Sequence, residues 1–409
     1  MSPEGNDFSF SDFFTEGQYQ TQAEVLEISE KNKSMTIGVP KEEHSDENRT
    51  PIVPNSIRTL VGYGHRIIFE KGAGLRSNFT DHDYSEAGAD IQPSKEKVFG
   101  SGVVVKASPA TLEEINMMNE GAILISPIIL PRMSESYLRA LKKKRIISIA
   151  MEYLAGENGT YPLVRIMSEI AGMASVFTAA ELLTHGQGGR GILLGGVSGV
   201  PPAKVVILGA GVVAEFATKT ALGLGASVRI FDNDISKLMR IQNLIGRQLH
   251  TSTFNPVYLG YQLLSADVVI GAIHSKSGRS PILVTEEMVS KMKAGSVIVD
   301  VSIDQGGCIE TSEVSNHKKP TIVKHGVIHY GVPNIASKVP RTASAAISNI
   351  ITPLLVKAGN MGSVESLIYQ SQGVRNGVYT YKGAVTNQYL SKRFGLKYQD
   401  INLLIASKF

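Results

Sequence analysis

Residues 204–232, KVVILGAGVVAEFATKTALGLGASVRIFD, constrain the fold more than any other stretch of the chain. The run 205–208 is short, apolar and mostly β-branched, as in a strand buried on both faces of a parallel sheet. Gly209 permits a tight turn, Gly211 lets the backbone approach an anion, and Ala214 completes a G-x-G-x-x-A pattern. Because the N–H groups at a helix N-terminus bind phosphate, the pattern predicts a Rossmann-type dinucleotide site.

Asp232 ends the next predicted strand, about 20 residues after the glycines. A carboxylate there accepts hydrogen bonds from a ribose 2′-hydroxyl and repels a 2′-phosphate, which favours NAD over NADP. The alternative is that Asp232 caps the helix predicted at 236–245, since aspartate is a common N-cap residue.

The composition indicates a soluble protein with enough apolar residues for more than one core. A chain of 409 residues with 43% hydrophobic residues is long enough for two or three domains. A net charge of +4, from 41 basic and 37 acidic residues, argues against nucleic acid as a partner. Cys308 is the single cysteine and no secretory signal is visible, so we expect a reducing, cytoplasmic setting. Neither a membrane span nor a metal site is expected.

Strand-like and helical segments alternate along most of the chain, which is typical of parallel βαβ units. We therefore predict two doubly wound, Rossmann-type α/β domains that face each other across a cleft and are linked by long helices at 168–185 and 342–358. The substrate domain would comprise 35–165 plus 342–409, and the NAD-binding domain 166–341. Strands are predicted at 36–39, 66–69, 103–106, 122–125, 146–149, 205–208, 268–272 and 297–301.

Two further segments are open to more than one interpretation. Residues 1–34 form an acidic extension of uncertain order, with aromatic residues and a short possible helix at 23–28, and are either a loose tail or a partner-binding segment. Residues 186–202, GQGGRGILLGGVSGVPP, are either a flexible connector or a mobile loop at the active site.

Three charged residues lie near predicted strand ends, where doubly wound sheets bind their ligands. Lys106 ends the VVVK strand, and a buried ammonium there requires an anionic partner. Asp304 follows the strand in VIVDVSIDQGG. Arg49 lies between the first strand and the first helix, and its guanidinium suits a substrate carboxylate. Together they predict an anionic substrate beside a redox cofactor.

Several long motifs resemble the alanine dehydrogenases, which are related to the NAD-binding subunit of proton-translocating transhydrogenase. The resemblance covers residues 35–409, and its landmarks are IGVPKEEHSDENR, FEKGAG, VVVK, MSEIAG, GGRGILLGGVSGVPPAKVVILGAG, GSVIVDVSIDQGGC, HYGVPNI and VPRTAS. The DVSIDQGGC segment resembles the alanine dehydrogenases rather than the transhydrogenases.

The resemblance implies reversible oxidative deamination of L-alanine to pyruvate and ammonia with NAD, in a homo-oligomer that is commonly a hexamer. It implies that Arg49 and Lys106 bind the substrate carboxylate and carbonyl, and that Asp304 serves the proton-transfer and water steps. Met167, Ser168 and Asn334 would approach the cofactor, and Asn334 would also lie near the substrate.

One position departs from the family pattern. Members carry a histidine in a segment ending ILFTYLHLA, whereas this chain reads ILISPIILP and has Ile129 at that place. Loss of a general acid typically slows a reaction by about 10²- to 10⁴-fold. His274, after another predicted strand, is the nearest replacement by position, although a solvated loop histidine is the alternative.

The departure leaves other functions open. The alternatives are an opine-type or other keto-acid reductase, which room for a larger amine near Ile129 would favour, and an NAD-binding regulatory protein with weakened catalysis. A transhydrogenase subunit would require a membrane partner chain.

Overall fold

A computed structural model describes residues 33–129, 133–156, 158–275 and 278–406. The helix predicted at 23–28 and the aromatic segment before it lie outside the described residues. The strands are β1 Thr36–Val39, β2 Arg66–Glu70, β3 Asp90–Gln92, β4 Val103–Val105, β5 Ile123–Ser126, β6 Ile147–Ala150, β7 Lys204–Leu208, β8 Ser227–Phe231, β9 His250–Ser252, β10 Val268–Gly271, β11 Val297–Asp300, β12 Thr321–Lys324, β13 Val327–Tyr330, β14 Val378–Tyr381 and β15 Ala384–Val385.

The α-helices lie mostly between these strands. They are α1 Pro54–Gly62, α2 Asp81–Glu86, α3 Lys95–Phe99, α4 Leu112–Met117, α5 Glu135–Lys143, α6 Pro162–Leu182, α7 Val212–Gly223, α8 Ile235–Ile245, α9 Pro256–Leu264, α10 Glu286–Ser290, α11 Pro340–Asn360, α12 Val364–Gln370, α13 Gln372–Arg375, α14 Gln388–Phe394 and α15 Ile401–Ala406.

The first sheet has the order β15-β14-β6-β5-β4-β1-β2-β3, in which β1 to β6 are parallel. The C-terminal hairpin β14–β15 adds antiparallel strands at the β6 edge. The connections change direction between β1 and β4, so this is the switch point at which ligands bind in open α/β sheets. The loops after β1 and β4 meet there.

The second sheet has the order β12-β13-β11-β10-β7-β8-β9, and its strands are parallel apart from β12. Its switch point lies between β7 and β10, beside the glycine loop. The parallel strands follow the order of a dinucleotide-binding Rossmann sheet.

Both sheets are covered on both faces. Val103 and Val105 of β4 pack in one apolar cluster, while Val104 packs in another on the opposite face. In the second sheet Val205 and Val206 likewise pack in two different apolar clusters, one on each face. Two-sided burial requires helices on both faces. The predicted fold class, two doubly wound α/β units, is therefore confirmed, and the eight predicted strands are each found within one residue at either end.

Helix α6 is longer than predicted and begins at Pro162, six residues before the start predicted at 168. Proline is favoured in the first helical turn because its missing N–H would have no partner there. By length and composition α6 is apolar enough to cross a membrane, yet half of it is buried in the fold. A β-carbon on Gly172 would lie 2.9 Å from the backbone nitrogen of Ala217 in α7, so the two helices pack almost backbone to backbone. This close packing makes α6 part of the core between the two sheets.

The glycine-rich segment 186–202 lies at the amino-terminal ends of the strands of the second sheet, opposite the ends at which such sheets bind ligands. A β-carbon on Gly195 would collide with the carbonyl of Leu224, where α7 ends and the chain turns into β8. The N–H of Ala203 donates to the carbonyl of Leu194 at 2.9 Å. The interpretation as an active-site loop is therefore wrong, and the segment is a connector that packs against the amino ends of the strands.

Candidate functional site

The glycine loop of the second sheet has the geometry expected for a phosphate site. Gly209 has a φ of +112°, and a β-carbon there would lie 2.5 Å from the carbonyl oxygen of Ala272. Gly211 is the N-cap of α7 without a side-chain cap, and a β-carbon on it would meet no atom within 4 Å. Ala214 is fully buried in the first turn of the helix. An open space therefore faces uncapped N–H groups, and the loop fits a dinucleotide pyrophosphate.

Asp232 follows β8 and points its carboxylate at this loop. Oδ2 accepts a hydrogen bond from the N–H of Ala210 at 2.7 Å, and Oδ1 accepts one from the N–H of Asp234 at 2.8 Å. The residue that caps α8 is Asp234, whose carboxylate accepts from the N–H groups of Ser236 and Lys237. The interpretation of Asp232 as a helix cap is wrong. Its position beside the loop fits the ribose contact, because an ionised carboxylate has about four acceptor sites.

Arg49 is largely buried in the loop after β1, where Glu47 binds it through both carboxylate oxygens. The distances are 2.6 Å from Nη2 to Oε2 and 2.7 Å from Nε to Oε1. Nη1 lies 3.4 Å from the sulfur of Met167 in α6. Burial tends to lower the pKa of Arg49, but the carboxylates of Glu47, Glu42 and Asp304 together outweigh it and raise the pKa above its ordinary value. The guanidinium is held charged.

Asn334 joins this loop to the second sheet's loops. Its Nδ2 donates to Oε2 of Glu47 at 3.1 Å, and its backbone N–H donates to Oδ1 of Asp304 at 3.1 Å. Its φ of 57° is a left-handed conformation that asparagine tolerates better than most residues. The structure therefore brings Arg49, Asn334 and Asp304 together around Glu47.

Asp304 is exposed in the turn after β11, at the carboxyl ends of the strands of the second sheet. Ser168 lies in α6 next to Met167, and its hydroxyl donates to the carbonyl of Val164 at 2.7 Å. Asp304 is linked to the Arg49 loop through Asn334, and Ser168 follows Met167, which contacts Arg49.

Lys106 follows β4 and is 1% exposed. Its ammonium lies 3.2 Å from Oε2 of Glu42 and 3.1 Å from Oε1 of Glu114. Burial tends to lower the pKa of Lys106, but the two carboxylates reverse this and hold the pKa above its ordinary value. The anionic partners that the sequence required for a buried ammonium are thus protein carboxylates. Lys106 and Arg49 do not contact each other. The carboxylate of Glu42 interacts electrostatically with both cations.

Lys106 and Ile129 line one cavity of about 360 Å³. The remaining lining residues are Glu43, His44, Ser108, Pro109, Ala110, Thr111, Glu114, Met133 and Tyr137. Arg49 does not line it. The cavity contains a histidine, His44, that the sequence analysis missed. Its position in the loop after β1, next to Lys106 after β4, was a signal that could have identified it, because the two strands are neighbours across the switch point.

His274, the replacement suggested by sequence position, does not line this cavity. It is exposed after β10, on the second sheet's side of the site. Its exposure fits the alternative interpretation of His274 as a solvated loop histidine.

Glu152 was also missed. It follows β6, and one carboxylate oxygen accepts a hydrogen bond from the N–H of Ile128 at 2.6 Å, while the other is buried without a hydrogen-bond partner among the described residues. Burial raises the pKa of Glu152 to about 7. Glu152 therefore fixes the backbone next to Ile129.

Comparison with known proteins agrees with this geometry. The model of "Alanine dehydrogenase/PNT, N-terminal domain" matches residues 38–171, and that of "Alanine dehydrogenase/PNT, C-terminal domain" matches residues 175–388. Alanine dehydrogenase 2 of Staphylococcus aureus strain Mu50 is 40% identical over 368 residues, which is 90% of this chain and 98% of the relative.

Two solved structures are similar over most of the chain. One is an L-alanine dehydrogenase, with a TM-score of 0.83 and 38% identity, covering 88% of this chain and 99% of that one. The other is a transhydrogenase from Sinorhizobium meliloti, with a TM-score of 0.74 and 24% identity, covering 87% of this chain and 99% of that one, a likeness of fold alone. With both family models matched and a relative aligned over nearly its whole length, the chain belongs to the alanine dehydrogenase/PNT family.

Proposed function

We propose that the protein is an NAD-dependent alanine dehydrogenase, which interconverts L-alanine and pyruvate plus ammonia. The observation that carries this proposal is the 40% identity to alanine dehydrogenase 2 over 98% of that relative. Arg49, Lys106 and Asp304, the three charged residues singled out from the sequence, all lie in loops on the ligand side of the two sheets, as such a reaction requires.

NAD, when bound, accepts the hydride that leaves Cα of the amino acid. Gly209, Gly211 and Ala214 would receive its pyrophosphate, and Asp232 its ribose. Met167, Ser168 and Asn334 would approach it from the α6 side and from the loop after β13. The open space at Gly211 supports this assignment.

Arg49 would bind the substrate carboxylate. Since Glu47 already occupies the guanidinium through two oxygens, the substrate carboxylate must bind to Nη1 or replace part of that pair. Lys106 would donate to the carbonyl oxygen, and its two glutamates keep it charged for this role. Asp304 would accept a proton from the attacking water.

The test is turnover in both directions: NADH formation from L-alanine at alkaline pH, and NADH consumption with pyruvate and ammonium. Wild type is compared with Asp304→Asn, which keeps an oxygen for the N–H of Asn334 but removes the charge. We expect at least a 100-fold loss of kcat, because general acid–base catalysis contributes about 10²- to 10⁴-fold. Glu310→Gln, an exposed residue in the same region, is the matched control and should retain full activity.

If the protein catalyses neither reaction but still binds NAD, the result would instead support an NAD-binding protein without this activity. A mutant as active as wild type would remove Asp304 from the mechanism.

A second candidate function is a dehydrogenase for a larger amino acid or an opine-type reductase. The cavity beside Ile129 favours it, because apolar residues such as Met133 and Pro109 line a space of about 360 Å³. A panel of keto acids and amines, measured by NADH consumption, distinguishes the two: a kcat/KM for a branched keto acid or a secondary amine that exceeds the value for pyruvate and ammonium would favour this candidate.

We also propose that the chain divides into an N-terminal extension of residues 1–34, a substrate domain of 35–165 plus 342–409 and an NAD-binding domain of 166–341. The protein would be a cytoplasmic homo-oligomer such as a hexamer. Exposed apolar residues of α6, including Met173 and Phe177, support self-association. Light scattering after size-exclusion chromatography measures the stoichiometry.

A further inference from the structure

The cavity beside Lys106 lies at the carboxyl ends of three adjacent strands. The first sheet places β1 next to β4 and β4 next to β5. His44 follows β1, Lys106 follows β4 and Ile129 follows β5, and all three line the same space. A small molecule in this space would lie between the imidazole of His44 and the side chain of Lys106.

The loop that carries His44 is held by hydrogen bonds, and one of them reaches the exposed imidazole. Its Nδ1 accepts a hydrogen bond from the N–H of Asp46 at 3.3 Å, and its carbonyl oxygen accepts one from Nη1 of Arg76 at 2.8 Å. Arg76 also binds the carbonyl of Glu47 at 3.1 Å, so one guanidinium fixes the loop on both sides of the histidine. Because Nδ1 is the acceptor, the proton of the neutral ring is on Nε2.

The other ionisable groups that line the cavity are engaged elsewhere. Glu114 accepts from Lys106 and from the N–H of Thr111 at 2.8 Å, and Glu43 forms an ion pair with Lys95. The hydroxyl of Tyr137 lies 3.3 Å from that of Tyr379. His44 is the imidazole among the described lining residues, and its Nε2–H has no protein acceptor within the part of the chain that is described.

We propose that His44 is a catalytic residue whose neutral Nε2–H donates a hydrogen bond to the carbonyl oxygen of the bound keto acid, opposite Lys106. This role rests on the proposed dehydrogenase function. As the ammonia nitrogen forms a bond to the carbonyl carbon, the π electrons of the C=O bond move onto oxygen, and Nε2–H stabilises the negative charge that develops there. The oxygen then takes the proton that the nitrogen loses, which gives a neutral carbinolamine. A neutral imidazole can act in this way without giving up its proton.

The experiment compares three substitutions in the full-length protein. His44→Leu removes the donor and should lower kcat for pyruvate and ammonium by about 10²- to 10³-fold, the usual effect of losing one donor to a developing oxyanion. His44→Gln places an amide N–H near the position of Nε2 and should retain activity within about tenfold of wild type, because only hydrogen-bond donation is needed. His82→Gln alters an exposed histidine in α2 and is the matched control.

A second readout does not depend on turnover. Diethyl pyrocarbonate modifies accessible imidazoles, and peptide mass spectrometry gives the rate at each histidine. Pyruvate with NADH, without ammonium, should slow modification of His44 at least fivefold and leave His82 unchanged.

Loss of activity in His44→Leu with retention in His44→Gln, together with protection by pyruvate, supports the assignment. A His44→Leu enzyme as active as wild type, a His44→Gln enzyme as impaired as the leucine variant, or absence of protection overturns it. If wild type fails to turn over pyruvate but pyruvate still protects His44, the proposed function fails and the histidine remains a keto-acid contact.

Discussion

Glu152 provides a quantitative test of how a buried carboxyl near the site affects stability. One of its oxygens is bound by the N–H of Ile128, and the other is buried without a partner among the described residues. Burial raises its pKa from an ordinary value of 4.5 to about 7. At about 1.36 kcal/mol for each pH unit between these values, ionisation of Glu152 costs at most about 3.4 kcal/mol of folding free energy.

The sign follows from proton linkage. Because the pKa is higher in the folded protein, the folded state binds this proton more tightly between pH 4.5 and about 7. Stability from this group is therefore highest below pH 4.5, falls as the pH rises through that window, and is lowest above about pH 7. Between pH 5 and pH 8 the fall amounts to about 2.5 kcal/mol.

Glu152→Gln removes the titration but keeps an oxygen for the N–H of Ile128. We expect the difference in unfolding free energy between variant and wild type to grow in the variant's favour by about 2.5 kcal/mol from pH 5 to pH 8. Urea unfolding followed by circular dichroism, at one protein concentration, measures this difference. Glu120→Gln, an exposed control, should track wild type. Parallel pH profiles for Glu152→Gln and wild type would refute the reasoning.

Three further substitutions test the fold and the site. Gly209→Ala forces a β-carbon onto a φ of +112° and toward the carbonyl of Ala272, so Tm and NADH affinity, measured by fluorescence titration, should both fall, whereas Gly223→Ala in α7 should change neither. Lys106→Met leaves Glu42 and Glu114 buried without their cation and should destabilise the protein by about 3–5 kcal/mol in urea unfolding, while Lys97→Met on the surface should cost less than about 0.5 kcal/mol. Asp232→Asn removes the charge that we propose contacts the ribose, so the Kd for NAD, measured by calorimetry, should rise at least tenfold, and an unchanged Kd would contradict this role.

The fold was predictable because its signals are local. Short apolar runs that alternate with helical segments located the predicted strands. The glycine spacing located the switch point of the second sheet. The hairpins β12–β13 and β14–β15 were missed although each turn ends in glycine, at His325-Gly326 and Lys382-Gly383, with positive φ at both positions. Such X-Gly pairs are typical of two-residue hairpins, so this signal was present in the sequence.

The site was predictable only in part, because its partners are distant in the chain. Sequence position identified Arg49 and Lys106 but not the acids that bind them. The Glu47 and Asn334 side chains meet across 287 positions, and no local pattern reports that contact. One hydrogen bond of Glu114 was predictable, because T-L-E-E at 111–114 is a capping-box sequence. Its ion pair with Lys106 was not, because it depends on how α4 packs on β4.

The hydrogen bond from Ala210 to Asp232 has a consequence for changing the cofactor. The carboxylate that would select a ribose hydroxyl also holds the backbone of the phosphate loop, at 2.7 Å. Exchanging it for a small neutral residue to admit a 2′-phosphate would leave the buried N–H of Ala210 without an acceptor and loosen the turn that we propose receives the pyrophosphate. The proposed cofactor specificity and the shape of the glycine loop would therefore depend on the same side chain, Asp232. A switch to NADP would need a second substitution that restores an acceptor for Ala210, such as a serine or asparagine at a neighbouring position.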